Sequence, residues 1–238
     1  MLILAIETSG ETASAALVTE GKVLAETNFA FGAVRANYAN IARITHSETL
    51  MPMIDFLLNT SRIPLSDIDC IALSAGPGSF TGLRIGAATA KALCHAAGKR
   101  LIPVPTLDAL AYNVCGYSIV APVMDARRGQ VYTCSYANED GQLTRLAPYA
   151  AENLEVVLQA AAAHGKKTVF TGDAATLFYD RITAYSDMFY VAPEHLRLQR
   201  AASVGLLALT HTDEATDYGA DPIMYLRKPQ AERVADGD

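Results

Sequence analysis

The feature that most constrains this chain is a set of landmarks that occurs twice in the same order. Leu2 to Glu7 is a short apolar run that ends in an acid and enters the polar stretch Thr8-Ser9-Gly10-Glu11-Thr12. Ile119 to Asp125 is a second such run, ending in an acid and the turn Ala126-Arg127-Arg128-Gly129. Ile68 to Ser74 then leads into Gly76-Pro77-Gly78, and Thr168 to Thr171 leads into Gly172-Asp173-Ala174. Short apolar runs bounded by turn formers read as buried strands. Two matched landmarks in one order predict a duplicated α/β unit, the second copy shortened between them.

The intervening stretches complete each unit. Ala13 to Thr19 and Lys22 to Phe29 are β-prone runs joined by Glu20-Gly21, a hairpin link. Leu50, Met53, Ile54, Leu57 and Leu58 fall at helical spacing, with Ser47 as N-cap and Pro52 near the first turn. Leu83 to Ala97 reads as a helix closed by Gly98, and Leu101 to Val104 as a strand. Val131 to Tyr136 and Gln142 to Leu146 flank the turn Asn138-Glu139-Asp140-Gly141, and Glu152 to Ala163 and Ala175 to Ile182 read as helices. Two three-stranded meanders, each followed by helices and parallel strands, predict an α/β protein of the actin-like ATPase fold (sugar kinase and Hsp70-type, RNase H-like). It comprises two similar subdomains, each with a mixed sheet flanked by helices. The predicted division is residues 1–104 and 105–238, meeting near Pro103 to Thr106, with the last helix packing back on the first subdomain.

Composition narrows the chemistry. The net charge is −6 and charged residues make up 18% of the chain, against 51% hydrophobic. Phosphate binding needs clustered Lys and Arg, so this balance excludes a protein that grips nucleic acid alone. The low charge fraction predicts apolar surface hidden beyond the monomer core. Met1 to Ile6 has no basic residue before it and Glu7 interrupts it, so it does not read as a signal peptide. No apolar run approaches the ~20 residues needed to cross a bilayer. Cys70, Cys94, Cys115 and Cys134 form no CxxC pair and read as buried thiols, which predicts a cytoplasmic protein. The histidines form neither HxxxH nor HExxH, so local spacing shows no metal site.

Gly76, Gly78 and Ser79 stand between a strand and a helix N-terminus, where free backbone N–H groups suit an anion. The block lacks the third glycine of GxGxxG and the Gly-Lys of a P-loop. Gly82, Gly86, Ala90 and Cys94 lie four apart, so one helix face is nearly smooth and suits close packing or a partner. Glu7, with Thr8 and Ser9 after it, could pair with Asp125 across a cleft to hold a metal ion or orient water. The simpler reading has each acid accept backbone N–H groups from its own turn. Arg127 and Arg128 read as a solvated turn or as a phosphate contact. His46 reads as a polar cap. No Ser/His/Asp or Cys/His constellation is readable locally.

Several of these stretches resemble the bacterial threonylcarbamoyladenosine family. They are Leu4-Ala5-Ile6-Glu7-Thr8-Ser9, His46-Ser47-Glu48 before Leu50 and Pro52, the block Gly76 to Gly86, Asp125-Ala126-Arg127-Arg128 before Val131-Tyr132, and Tyr225-Leu226-Arg227. The resemblance spans nearly the whole chain. It implies a role in placing threonylcarbamoyl, supplied as threonylcarbamoyl-AMP, on the adenosine beside the anticodon of ANN-decoding tRNAs. In that system TsaD transfers the group and TsaE supplies ATPase activity. TsaD carries two metal-binding histidines after an Ile/Val-Pro-Val run; the corresponding positions here are Thr106 and Leu110, neither of which holds a metal as imidazole does. The resemblance therefore implies a non-catalytic subunit with no cofactor or metal of its own. Its partners are TsaD in a heterodimer, TsaE in a larger complex and tRNA through that complex, with a homodimer when alone and no membrane. The expected contact with TsaD comprises Leu50, Met53, Ile54 and Leu57 on one helix and Gly82, Gly86, Ala90 and Cys94 on the other. Glu7, Thr8, Ser9, Gly76, Gly78, Ser79, Asp125, Arg127 and Arg128 would line a vestigial nucleotide cleft. The competing readings are a metal-dependent actin-like ATPase or kinase using Glu7 and Asp125, and a protease or protease regulator.

Overall fold

The computed structural model describes residues 1–31, 45–114, 116–139 and 141–227; the expectations on Cys115 and Asp140 lie outside them. The first unit runs β1 (Ile3–Glu7), β2 (Thr12–Thr19), β3 (Lys22–Ala30), α1 (His46–Ser61), β4 (Cys70–Ser74), α2 (Phe80–Ala97) and β5 (Arg100–Val104). Helix α3 (Thr106–Tyr112) leads to the second unit, β6 (Ile119–Asp125), β7 (Gln130–Thr133), β8 (Tyr136–Glu139), β9 (Gln142–Arg145), β10 (Ala150–Asn153), α4 (Leu154–Ala163), β11 (Thr168–Thr171), α5 (Asp173–Leu177), α6 (Tyr179–Tyr185) and β12 (Phe189–Val191). Two helices follow, α7 (Glu194–Arg197) and α8 (Ala201–Ala208).

The sheets repeat one topology. The first has the order β3-β2-β1-β4-β5 and the second the main path β10-β7-β6-β11-β12, with β8 and β9 as an added hairpin on β6. In each unit an antiparallel meander is followed by parallel strands, β1 with β4 and β5, β6 with β11 and β12. This is the actin-like fold, two similar subdomains, as the paired landmarks predict.

Alternation along β1 explains why the strand is apolar throughout. Leu4 and Ile6 point to the face covered by α1 and α2, where they join Leu50, Ile54, Leu57, Leu73, Ala90 and Cys94. Ile3 and Ala5 point to the opposite face, where they join Ala16, Ala72 and the α8 residues Ala201, Val204 and Ala208. A Cβ added at Gly205 would crowd Val18 and Ala5, so α8 lies close on a face of small side chains. Its first amides are capped from the sheet: Ala201 N–H donates to Ser14 Oγ at 3.0 Å and Ala202 N–H to Glu26 Oε1 at 3.0 Å, with Arg200 paired to Glu26. On the second sheet α4, α5 and α6 cover one face, and α3 covers the other through Leu107, Leu110 and Ala111. Helices α3 and α8 touch each other, and Ser203 Oγ donates to Asn113 Oδ1 at 2.5 Å. The layers are thus helices, sheet, the α3/α8 pair, sheet, helices.

Local differences from the sequence reading have physical causes. Thr45, not Ser47, caps α1, in a capping box where Thr45 N–H donates to Glu48 Oε2 at 2.8 Å. Pro52 sits beyond the first turn. The run Val131 to Tyr136 divides into β7, on the C-terminal half of β6, and β8, on its first two residues. The break falls opposite Pro122, which has no N–H for the ladder. Glu152 belongs to β10 rather than to α4. The stretch Ala175 to Ile182 is two helices interrupted at Phe178.

Candidate functional site

The two acids end equivalent strands but differ in setting. Glu7 Oε1 accepts the Ser9 N–H and the Ser9 hydroxyl, both at 2.5 Å, and Asp125 Oδ1 accepts the Arg127 N–H at 2.7 Å. Glu7, Thr8 and Ser9 are fully buried, and among the described residues Glu7 Oε2 has no hydrogen-bond partner. Burial pushes the Glu7 carboxyl above its ordinary pKa, against the Ser9 donors that lower it. Asp125 is more open and pairs with Arg127 Nη1 at 2.9 Å. Arg127 and Arg128 have φ of 66° and 56°, in the left-handed region that costs a non-glycine residue about 1 kcal/mol or more.

The glycine block meets this first turn. Gly76 and Gly172, each just past an equivalent strand, have φ of 108° and 111°. A Cβ added at Gly78 or Gly82 would come within 3.0 Å of the carbonyl oxygen of Ser9 or Thr8, and one at Gly86 would strike Thr8 Oγ1. Ser79 N–H donates to Ser9 O at 2.6 Å, Thr8 Oγ1 donates to Gly82 O at 2.8 Å, and Gly82 N–H donates to Ser79 Oγ at 3.3 Å. The close approach that these glycines permit is to the protein's own backbone.

A cleft of about 550 Å³ opens between the subdomains, lined on one side by Ser9, Gly10, Glu11 and Gly78 to Leu83. On the other side are Met124 to Arg127, Tyr132 and Asp173, and Met224 to Arg227 complete it. Of the residues expected there, Ser9, Gly78, Ser79, Asp125 and Arg127 line the cleft, whereas Glu7, Thr8, Gly76 and Arg128 do not. Its charges suit a polyphosphate poorly. Glu11, Asp125 and Asp173 face it against Arg127 and Arg227, and among the described residues no lysine does. Asp173 was not singled out from the sequence. Its Oδ1 accepts the Asp125 N–H at 3.2 Å, and burial, with Glu11 and Asp125 nearby, pushes its pKa up to about 6. Its position directly after Gly172, matching Pro77 after Gly76, was the available signal.

Neither Ser9 nor any of the described cysteines is an activated nucleophile. The Ser9 hydroxyl is buried against Glu7, and burial raises the Cys70, Cys94 and Cys134 thiols, Cys94 to about 11. The described residues hold no group of three His, Cys, Asp or Glu placed to bind a metal. Thr106 and Leu110 are both fully buried. Thr106 Oγ1 shares a hydrogen bond with Ser74 Oγ at 2.7 Å and accepts the Gly76 N–H at 3.1 Å, while Leu110 packs beside Gly172. His46 is the first residue of α1; its Nε2 lies 3.1 Å from Thr12 O and its ring 4.4 Å from that of Phe31.

The expected partner surface requires correction. Leu50, Ile54, Leu57, Gly82, Gly86, Ala90 and Cys94 are buried between their helices and the first sheet, and Met53 is half-buried. The smooth face of α2 is turned inward, because Thr8 and the sheet occupy the space that its small residues leave. What α1 and α2 show to solvent is a different set. Met51 and Phe56 are 46% and 63% exposed, and Arg84, Ala88 and Ala92 are exposed on α2.

Comparison with known proteins places this arrangement. The family described as TsaD, tRNA N6-adenosine threonylcarbamoyltransferase, matches residues 37–232. The tRNA threonylcarbamoyladenosine biosynthesis protein TsaB of Bacillus subtilis is 37% identical over 62% of this chain and 60% of its own length. That of Escherichia coli is 32% identical over 74% of this chain and 71% of its own length. The chain thus spans between three fifths and three quarters of these two relatives. The YeaZ structure from Pseudomonas aeruginosa superposes with a TM-score of 0.72 at 26% identity, covering 94% of this chain and 99% of that one.

Proposed function

Since the chain belongs to the TsaD family and, within it, to the TsaB/YeaZ branch, we propose that it serves tRNA threonylcarbamoyladenosine formation as a non-catalytic partner subunit of TsaD. The observation that carries this reading is the state of Thr106 and Leu110. The positions that correspond to the metal-binding histidines of TsaD are filled by buried side chains committed to packing and to the Ser74–Gly76 turn. TsaD supplies the metal and the transfer chemistry, TsaE joins the larger complex, and tRNA is met through that complex in the cytoplasm. No helix among the described residues is long and apolar enough to cross a membrane.

The contact with TsaD, and the homodimer in its absence, is assigned to the outward faces of α1 and α2 rather than to their buried faces. Met51, Phe56, Ala88 and Ala92 supply apolar area with little side-chain bulk on α2. Placing Arg at Ala92 should abolish co-elution with TsaD while the melt stays near that of the parent chain; retained co-elution removes this surface. The function itself is tested by depleting the protein and measuring threonylcarbamoyladenosine in bulk tRNA by mass spectrometry. An unchanged level sinks the reading.

The cleft gives a second reading, an actin-like ATPase, its only specific support. Titration calorimetry of the isolated chain with Mg-ATP separates the two. The acids facing the cleft and the glycine loop's engagement with Ser9 predict no tight binding.

A further inference from the structure

After α8 the chain runs back along the first subdomain. Thr216 exchanges two backbone hydrogen bonds with Leu101 on β5, at 3.1 and 2.8 Å. The Tyr218 hydroxyl shares a hydrogen bond with His95 Nδ1 at 2.9 Å, and Met224 N–H donates to Ala75 O at 2.7 Å. The Tyr225 ring lies 5.4 Å from that of Phe80, and Arg84 Nε donates to the Tyr225 hydroxyl at 3.4 Å. Beyond these anchors the segment reaches the other subdomain. Arg227 Nη1 donates to Ala126 O at 2.6 Å, at the buried tip that follows β6.

We propose that Thr216–Arg227 is a strap that holds the two subdomains at a set opening, with the Arg227–Ala126 hydrogen bond as its latch. The backbone crosses between subdomains at Val104–Thr106 and again between β12 and α8. Those crossings allow hinge motion, the default for two units joined this way. The anchors on Leu101, Ala75 and Phe80 hold the backbone leading to Arg227 in place before it bonds, so little backbone entropy is lost in closing the latch. A guanidinium donor makes a stronger hydrogen bond to a carbonyl than a neutral group does. Residues Met224 to Arg227 line the cleft, so the strap sets the width of the space that it borders.

The chain contains no tryptophan, so Tyr132→Trp, in the cleft lining, supplies a single tryptophan, excited at wavelengths that tyrosine does not absorb. In that background Arg227→Ala should raise the open population about tenfold, the scale of one lost charged hydrogen bond. The readout is a red shift in emission and greater acrylamide quenching with a cooperative melt retained. Arg128→Ala removes an exposed charge that does not line the cleft and should change neither signal. If Arg227→Ala does not fold, Arg227→Gln replaces it, since the shorter amide cannot span the gap. Unchanged emission and quenching in the folded Arg227 variant, or an equal change in Arg128→Ala, overturns the latch.

Discussion

Gly82→Ala separates two meanings of the glycine block. If these glycines exist so that a ligand can approach, an alanine in the isolated chain should help, because alanine is the better helix former by about 1 kcal/mol. The structure predicts the opposite sign. The new methyl would come within 3.0 Å of the Thr8 carbonyl oxygen, which is backbone and fully buried. Either β1's turn or the first turn of α2 must move. That movement endangers the Thr8 Oγ1–Gly82 O and Ser79 N–Ser9 O hydrogen bonds, each worth about 1 kcal/mol. Overpacking itself costs roughly 1–3 kcal/mol. After the propensity gain is subtracted, the expected loss is about 2–4 kcal/mol. In a chain of this size that lowers the melting temperature by roughly 5–15 °C. Urea unfolding followed by circular dichroism at 222 nm reads it directly. Gly98→Ala is the control: it gives up a left-handed glycine, φ 63°, which Gly82 is not, but has nothing within 4 Å, so it should lose only about 1–2 kcal/mol. A Gly82→Ala protein as stable as the parent, or more so, would falsify the close-approach argument.

Other perturbations test other contacts. Asp173→Asn keeps an acceptor for the Asp125 N–H and removes the charge. Because the folded pKa is raised to about 6 from 3.8, the native carboxyl costs nothing below the unfolded value, an increasing amount as pH rises between the two, and its full amount above the folded value. The variant should therefore be more stable by about 2–3 kcal/mol at pH 7.5 and equal to the parent near pH 3.5; a gain independent of pH refutes the burial argument. Ala90→Arg places a long cation where exposure is zero, between α2 and the first sheet. It should fail to fold, whereas Ala92→Arg should melt normally, and soluble, folded Ala90→Arg would return the small-residue face to the surface. Thr45→Ala removes the α1 capping box and should cost about 1 kcal/mol in urea melts; no change would mean that solvent replaces the cap fully.

Much of the fold was legible because strands buried on both faces read as uninterrupted apolar runs. The strand assignments for Ile119–Asp125 and Thr168–Thr171 coincide with β6 and β11, and Gly98 closes α2 with a left-handed φ. Helices α3 and α8 were not legible residue by residue, beyond the expectation that a last helix packs back on the first subdomain. They lie between the two sheets, so neither Thr106–Tyr112 nor Ala201–Ala208 carries the polar stripe that marks a surface helix. Strand β10 escaped for the converse reason, since Ala150–Asn153 is an edge strand with little burial to pattern it.

The repeated strand–acid–turn and strand–glycine landmarks, and the absence of imidazole at Thr106 and Leu110, stand in the chain itself. These are matters of residue type and order, and local chemistry is enough to read them. Which way each face turns came from packing between distant elements. A four-residue spacing defines a smooth stripe on α2 but says nothing about whether a partner or Thr8 fills it, and Thr8 does. Likewise Glu7 and Asp125 are equivalent in the chain, and burial alone separates a carboxyl held away from water from one paired with Arg127 in an open cleft. Burial depends on what arrives from far along the chain, here α2, Asp173 and the strap that ends at Arg227, and no local pattern encodes that arrival.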